Sequence, residues 1–255
     1  MSHWWTLPVV LLLVACGGRK TPTPAGDDPA ATAPKFVEID MGDEDEEDFF
    51  PELMKATAQC GDLVSLEPSA MMGKLQDAEI RCLDGALRDS DRMTVKDKIS
   101  RVLMKDAWAK GDEHRWEAVS RRHLEEIDQS DPDLCYKFAR FMSARGPEHT
   151  DETMRWADVA LENRSRWTGD VHVKRVYALF KVKTVAAQKK WEYLEAQYIE
   201  TPTEQLLSQK DEARNQLKTL AREWLEYARQ SGKDSTVPQQ MCVSAAGTEG
   251  YCDET

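Results

Sequence analysis

The feature that most constrains this chain is the recurrence of apolar residues at steps of three and four from about residue 51 to residue 232. In the stretch 96–110 these positions hold Ile99, Val102, Leu103 and Ala107. Such steps place apolar side chains on one face of an α-helix, whereas a strand would need alternation. Asp131-Pro132 is typical of a helix start, with a capping residue followed by proline. The sequence therefore predicts an all-α domain over residues 51–232.

The last helix of this domain is predicted at about residues 202–230. Its apolar residues form one stripe: Ala213, Leu217, Leu220, Trp224 and Tyr227. A stripe of this kind is buried against another helix. We expect it to close the end of the domain internally, and pairing with a helix of a partner protein is the alternative.

The stretch AWAKGDEHRWEAVSRRHLEEIDQSDPD, residues 107–133, has the layout of a helical hairpin. Ala107 closes one helix, Gly111-Asp112 forms the turn, and Ala118 and Leu124 lie on the next helix. This stretch resembles tetratricopeptide-like repeats, and the resemblance covers about residues 94–190. It implies a short solenoid of helical hairpins whose concave surface binds segments of other proteins. A plain helical bundle is the alternative architecture.

The N-terminus carries an apolar run from Leu7 to Ala15 that ends at Cys16. A membrane-spanning helix needs about 20 apolar residues, so this shorter run is typical of a signal peptide over residues 1–15. Leu13-Val14-Ala15-Cys16 resembles the bacterial lipobox, which implies cleavage before Cys16 and lipid attachment to that cysteine. In that family Gly17, in place of aspartate, favours the outer membrane. The expected location is the bacterial cell envelope, on an outer-membrane lipid anchor facing the periplasm.

Residues 16–50 are predicted to be a disordered tether between the lipid anchor and the domain. Their first part is rich in Pro, Ala and Thr, which cannot bury enough apolar surface to fold. Six consecutive acidic residues follow from Asp43 to Asp48. Their spacing excludes an EF-hand, because the sixth and twelfth positions hold Asp48 and Met54. A solvated acidic linker is the simpler interpretation, and an acidic docking segment anchored by Phe49 and Phe50 is the other.

Five cysteines follow Cys16, and an exported chain meets oxidising conditions in which disulfides form. We expect two bonds, Cys60 with Cys82 and Cys242 with Cys252. Cys135 falls on the inner face of a predicted helix and is expected to be a buried free thiol. The cysteines and histidines show no metal-binding spacing, so no metal site is predicted. Residues 233–255 are expected to be an irregular tail held by its cysteines.

Composition and motifs argue against two classes of function. A formal net charge of −12 does not suit nucleic acid, whose phosphates demand clustered positive charge. The chain has no GxSxG, no HExxH and no glycine-rich phosphate loop. His123 lies on an apolar helix face and is interpreted as a core residue. The sequence therefore predicts a protein that is not an enzyme and has no cofactor; a hydrolase whose site the spacing conceals is the remaining catalytic class.

One basic segment stands out, since residues 164–190 contain eight basic residues and one acid, Asp170. Its candidate partner-binding residues are Arg164, Arg166, Lys174, Arg175, Tyr177, Lys181 and Lys183. The segment is either a solvated helix face that balances neighbouring acidic helices or a groove for an anionic partner.

The expected function is that of a lipid-anchored envelope adaptor, which binds one or more envelope proteins through a helical-repeat surface without catalysing a reaction. The alternative is a module that uses residues 164–190 to bind peptidoglycan or another anionic cell-wall polymer. The sequence leaves the partner and the oligomeric state open.

Overall fold

Short turns divide the chain into helices, and the computed structural model describes residues 46–61, 63–248 and 250–253. All regular structure in those residues is helical. The α-helices are α1 (Glu46–Thr57), α2 (Leu63–Met71), α3 (Asp77–Asp89), α4 (Met93–Lys110), α5 (Glu113–Glu126), α6 (Pro132–Arg145), α7 (Thr150–Glu162), α8 (Gly169–Glu200), α9 (Glu204–Gln230), α10 (Thr236–Ala246) and α11 (Gly250–Asp253). The all-α prediction is confirmed for the described part of the chain. The predicted signal peptide, Cys16 and the tether up to residue 45 lie outside the described residues.

Three successive hairpins, α4–α5, α6–α7 and α8–α9, make up the centre of the fold. Gly111 ends α4 at a φ of 68°, a left-handed conformation that glycine adopts without strain. The Asp112 carboxylate then caps α5 by accepting from the Arg115 N–H at 3.0 Å. Asp131 caps α6 in the same way, and Pro132 occupies the first turn as predicted. Each hairpin contacts the next, because α5 packs against α6 and both α6 and α7 pack against α8.

The main hydrophobic core lies between α4, α5, α6, α7 and α8. Its largest buried side chains include Phe138 and Trp156, whose rings meet edge to face with centroids 6.0 Å apart. Truncating an aromatic residue at such a site costs about 3–5 kcal/mol. The core therefore fixes the positions of α4, α5 and α6 relative to one another.

A second core joins α1, α2 and α3 to α4. Leu53, Leu66, Leu83 and Ile99 are buried there. A disulfide between Cys60, just after α1, and Cys82 on α3 closes this layer. The predicted pairing of these two cysteines is confirmed.

The predicted C-terminal helix corresponds to α9, which packs between α8 and α10. The side chains of Ala213, Leu217, Leu220 and Trp224 are buried, so the apolar stripe is covered within the chain, as expected. The alternative in which this stripe pairs with a partner's helix does not apply.

The prediction of an irregular tail over residues 233–255 is wrong, because α10 and α11 lie within it. Pro238 falls in the first turn of α10, where a missing N–H is tolerated. Cys242 and Ala245 are buried, and Cys242 forms the predicted bond with Cys252. The serines and glycines of the tail predicted a loop. The residues of α10 form a helix instead, because its buried residues, Pro238, Cys242 and Ala245, are spaced four and three apart and share one helix face.

The boundary between tether and domain also differs from the prediction. The sequence placed it after residue 50, whereas α1 begins at Glu46. Glutamate is a good helix former, so the last three residues of the acidic run form the start of α1 instead of belonging to the tether.

Candidate functional site

An aromatic cleft lies at the turn between α4 and α5. Trp108 stands in the last turn of α4 and Trp116 in the first turns of α5, and their ring centroids are 5.5 Å apart. Phe141, from α6, completes the cleft with its centroid 4.9 Å from that of Trp116. The turn at Gly111 reverses the chain and thereby brings the two tryptophans to the same place.

The cleft combines an exposed ring with a buried one. Trp108 is 60% exposed, whereas Trp116 is 4% exposed and belongs to the main core. The open space between them and Phe141 has a volume of about 200 Å³. Typical small-molecule sites have about 300–1,000 Å³, so the cleft suits a single inserted side chain better than a cofactor.

A buried ionic network holds the two helices of the cleft in place. The Asp106 side chain, on α4, is fully buried and lies 3.0 Å from the Lys110 Nζ and 2.5 Å from an Arg115 guanidinium nitrogen. It also accepts a hydrogen bond of 3.1 Å from the Leu75 N–H in the loop between α2 and α3. One carboxylate therefore ties together α4, α5 and this loop, and it supports the two helices that carry the tryptophans of the cleft.

The rim of the cleft is acidic on one side. Asp112 and Glu113 line it and are exposed. Of the neighbouring cations, Lys110 pairs with Asp106, whereas Arg115 pairs with Asp106 and also lies 3.6 Å from the Asp112 carboxylate. The Arg145 guanidinium lies over the Phe141 ring at 4.5 Å from its centroid. The rim thus offers the Glu113 carboxylate, and the exposed part of the Asp112 carboxylate, to solvent beside an apolar slot.

Most of the predicted partner-binding residues of the basic segment already have contacts within the chain. Arg164 donates to the Leu161 carbonyl at 3.1 Å, and Arg166 to the Ser130 carbonyl at 3.0 Å. Arg175 forms an ion pair with Asp133. Arg175 thus joins the start of α8 to the start of α6, whereas Arg164 and Arg166 hold the connection between α7 and α8.

The rest of the predicted set points in three directions. The Lys183 Nζ lies 2.6 Å from a carboxylate oxygen of Asp158 on α7. Tyr177 faces α9, where its ring packs against Trp224 at 5.7 Å and its hydroxyl donates to the Asp234 carbonyl. Lys174 and Lys181 are exposed on the outer face of α8. The structure therefore does not gather the seven residues into one groove, and it favours the interpretation in which this segment balances acidic neighbours.

A serine, a histidine and an aspartate meet inside the fold, an arrangement that the sequence reasoning missed. The Ser100 hydroxyl lies 2.7 Å from His123 Nδ1, and His123 Nε2 lies 3.5 Å from Asp97 Oδ1. Ser100 and His123 have no exposed surface, and neither lines the described clefts. Burial, reinforced by the nearby Arg101 guanidinium, lowers the pKa of His123. These residues have the types of a hydrolase triad, but a substrate has no access to the serine, so we assign them to the core.

Cys135 is a buried free thiol, as predicted. Burial, together with the nearby Asp131 and Asp128 carboxylates, raises the pKa of this thiol to about 12. A thiol in this environment is unreactive, since the thiolate is the nucleophile. No cluster of three or more metal-ligating side chains occurs among the residues that the structure describes.

Comparisons with known proteins add no relative to this picture. No protein-family model matches the chain, and neither a curated protein nor a solved structure matches it. Within the described residues, none of the helices has the length and apolar character needed to cross a membrane.

Proposed function

We propose that this protein is an adaptor of the bacterial cell envelope, which captures a segment of another protein in the aromatic cleft and catalyses no reaction. The observation that carries the proposal is Trp108, a 60% exposed indole beside the buried ring of Trp116. Tryptophan is among the residues that most often dominate binding energy at interfaces. An exposed tryptophan on a rigid support is therefore ready to bind without a cost of ordering.

The proposed architecture is a short tetratricopeptide-like solenoid built from the three central hairpins. Its support is that α4–α5, α6–α7 and α8–α9 follow one another and that each contacts the next. In such solenoids, neighbouring hairpins create an extended surface that receives segments of other proteins. The cleft would be one pocket of that surface, formed by the first two hairpins.

The chemistry of the cleft defines the kind of segment that it would receive. A slot of about 200 Å³ between aromatic rings fits one large apolar side chain. The exposed carboxylates of Asp112 and Glu113 favour lysine or arginine beside that anchor. We therefore propose a partner segment with one aromatic or aliphatic anchor flanked by basic residues.

The proposed anchor to the membrane is lipid on Cys16, on the strength of the lipobox Leu13-Val14-Ala15-Cys16. Several acyl chains at ~0.8 kcal/mol per buried methylene would hold the protein durably at the envelope. Cys16→Ala is expected to release the protein into the soluble fraction after cell lysis. Firm membrane association of that variant would refute the lipid anchor and would leave the proposal for the cleft unaffected.

The wall-polymer alternative has less support, because it relies on residues 164–190. Arg175 and Lys183 are engaged with Asp133 and Asp158, so a polymer would have to displace ion pairs inside the fold. A hydrolase is also less favoured, since the one serine–histidine pair found among the described contacts is buried.

The cleft can be tested by site-specific photo-crosslinking of the full-length protein in intact cells. A photo-reactive residue at Glu113 samples the rim of the cleft. We expect one or two crosslinked proteins, attached through an apolar segment flanked by lysine or arginine and identified by mass spectrometry. A photo-reactive residue at Val237, exposed on α10, is the positional control.

The matched substitutions are Trp108→Ala in the cleft and Val237→Ala outside it. Trp108→Ala is expected to reduce the yield of the Glu113 crosslink at least tenfold, and Val237→Ala should leave it unchanged. Crosslinks only to muropeptides would refute the adaptor proposal in favour of a wall-binding role. An unchanged protein crosslink in Trp108→Ala would remove the cleft as the binding site.

A further inference from the structure

The outer face of α8 carries a second regular pattern, separate from the cleft. Every seventh residue lies on one line along it: Val171, Ala178, Val185, Glu192 and Ile199. A seven-residue step returns to nearly the same side of an α-helix, and apolar residues at this spacing are typical of a helix–helix seam. Val171 is 45% exposed and Ile199 is 73% exposed, so no helix of the described chain covers the ends of this line.

The charges on and beside this line are divided between its two halves. Lys174 and Lys181 lie toward the N-terminal end, and Glu192 and Glu195 lie toward the C-terminal end. Glu192 belongs to the line itself, and the other three share the neighbouring seven-residue line. None of these four residues forms an ion pair among the described contacts, and Lys174, Lys181 and Glu192 are exposed. Asp170, in the first turn of α8, is also exposed; beyond that turn, each half presents one sign of charge to solvent.

The other faces of α8 pack against α7 and α9, so only its outer face has no neighbouring helix among the described residues. Lys183 and Lys190 pair with Asp158 and Asp151 of α7. Tyr177 packs against Trp224 of α9. The outer face is thus left for an external helix.

The division of charge selects what that helix can be. A partner helix needs acidic residues opposite Lys174 and Lys181 and basic residues opposite Glu192 and Glu195. A second copy of α8 meets this requirement if it runs antiparallel, because each basic half then lies against an acidic half. A parallel copy would bring like charges together, which destabilises an interface. Antiparallel pairing of identical faces is also the arrangement that a two-fold axis produces, and it closes after two copies.

We propose that the protein self-associates through the outer face of α8, with the two copies of this helix antiparallel. Val185 lies near the middle of the seam, and Val171 of each copy approaches the Ile199 end of the other. Only one helix face takes part, so the association is weak and depends on the charge pairing. This inference goes beyond the proposed adaptor function and uses no residue of the cleft.

The test is photo-crosslinking at Val185 in the full-length protein, expressed in cells as two versions with different epitope tags. We expect a covalent product of twice the chain mass that contains both tags. A photo-reactive residue at Val237 is the positional control and should give no such product. If Val185 instead crosslinks to a different protein, or gives no product, the self-association proposal is overturned.

Charge reversal makes the test specific for an antiparallel copy. Lys174→Glu with Lys181→Glu makes both halves acidic and should reduce the two-tag product roughly tenfold or more, and Glu192→Lys with Glu195→Lys should do the same. Co-expressing the two double variants restores complementarity between copies, as does combining all four changes in one chain. Both restorations should recover the product. Failure of either restoration would refute the antiparallel pairing.

Two controls establish that a lost product means a lost contact between copies. The thermal unfolding of each charge variant should match that of the wild type, because these side chains lie on the outer face of α8 and form no ion pair among the described contacts. Trp108→Ala should leave the two-tag product unchanged. A loss of that product in Trp108→Ala would show that the two surfaces are not independent. Failure of the cleft to bind its partner is detected separately, by loss of the Glu113 crosslink while the two-tag product remains.

Discussion

The buried carboxylate of Asp106 gives the sharpest test of how the cleft is held together. Asp106→Ala removes the acceptor of the Leu75 N–H and the anionic partner of Lys110 and Arg115. A buried N–H left without an acceptor costs about 1–3 kcal/mol, and breaking a buried ion pair costs about 3–5 kcal/mol. The side chains of Lys110 and Arg115 are 29% and 20% exposed, so both cations can turn toward water. We therefore expect a total loss near the lower value, about 3 kcal/mol.

The assay is thermal and urea unfolding followed by circular dichroism. For a domain of this size, 1 kcal/mol corresponds to about 2–4 °C in Tm, so Asp106→Ala should lower Tm by roughly 6–12 °C. Asp106→Asn keeps an oxygen for the Leu75 N–H and should lose about half as much free energy. The control is Asp211→Ala, an exposed carboxylate on α9, which should stay within about 0.5 kcal/mol of the wild type.

Two results would refute this reasoning. A loss below about 1 kcal/mol in Asp106→Ala would mean that the network does not fix α4, α5 and the loop before them. A double-mutant cycle between Asp106→Ala and Arg115→Ala should give a coupling energy of about 0.5–3 kcal/mol. Strict additivity of the two losses would show that the 2.5 Å contact carries no energy.

Three further outcomes follow from the buried groups. Folding lowers the pKa of His123 below 6.5, so the unfolded chain takes up a proton first as the pH falls. The free energy of unfolding should therefore decrease as the pH drops below about 6.5. His123→Gln should flatten that pH dependence in urea titrations. Replacing both Cys60 and Cys82 by serine opens a loop closed across 22 residues and should cost about 3 kcal/mol in the same titration. Cys135, whose thiol pKa is raised to about 12, should resist iodoacetamide in the native protein at about pH 8 and react after denaturation, as read by mass spectrometry.

Much of the helical layout could be predicted because it depends on local chemistry. The steps of Ile99, Val102 and Leu103 are those of a buried helix face, and all three side chains are buried. The start of α6 follows from Asp131 and Pro132, which cap a helix wherever it lies in the fold. The tail was missed because α10 is short and its buried face consists of small residues, which give a weak apolar signal.

The cleft was missed because it depends on tertiary contacts. Trp108 and Trp116 are eight residues apart, and the Gly111 turn that joins their helices was recognised in the sequence. That turn was the signal that could have revealed the cleft, since two tryptophans on either side of a tight turn can meet. Neither the exposure of Trp108 nor the arrival of Phe141 from α6 can be derived from the spacing, because both depend on how the hairpins pack.

The ion pairs of the basic segment could not be predicted either, because they also depend on tertiary packing. The charges of Arg175 and Lys183 are evident in the sequence, but the carboxylates of Asp133 and Asp158 that face them cannot be assigned from it. Those carboxylates lie on α6 and α7, 42 and 25 residues away. A cluster of one sign in the sequence therefore identifies a helix that needs counter-charges, and only the packing shows whether they are internal.

Trp108 differs in its burial from the neighbouring tryptophans of the fold. Trp116, Trp156, Trp167 and Trp224 are each at least nine-tenths buried, whereas Trp108 exposes more than half of its surface beside them. Burying apolar surface stabilises a fold by about 25 cal/mol per Å², and the exposed part of the Trp108 ring forgoes that gain. An exposed aromatic ring also promotes unwanted association. A polar residue at position 108 would avoid both costs, although it would lose the packing of the Trp108 ring on Trp116. Under the proposed function, a partner segment that covers the ring would remove both costs, and the acidic rim next to it would favour segments with compensating basic charge.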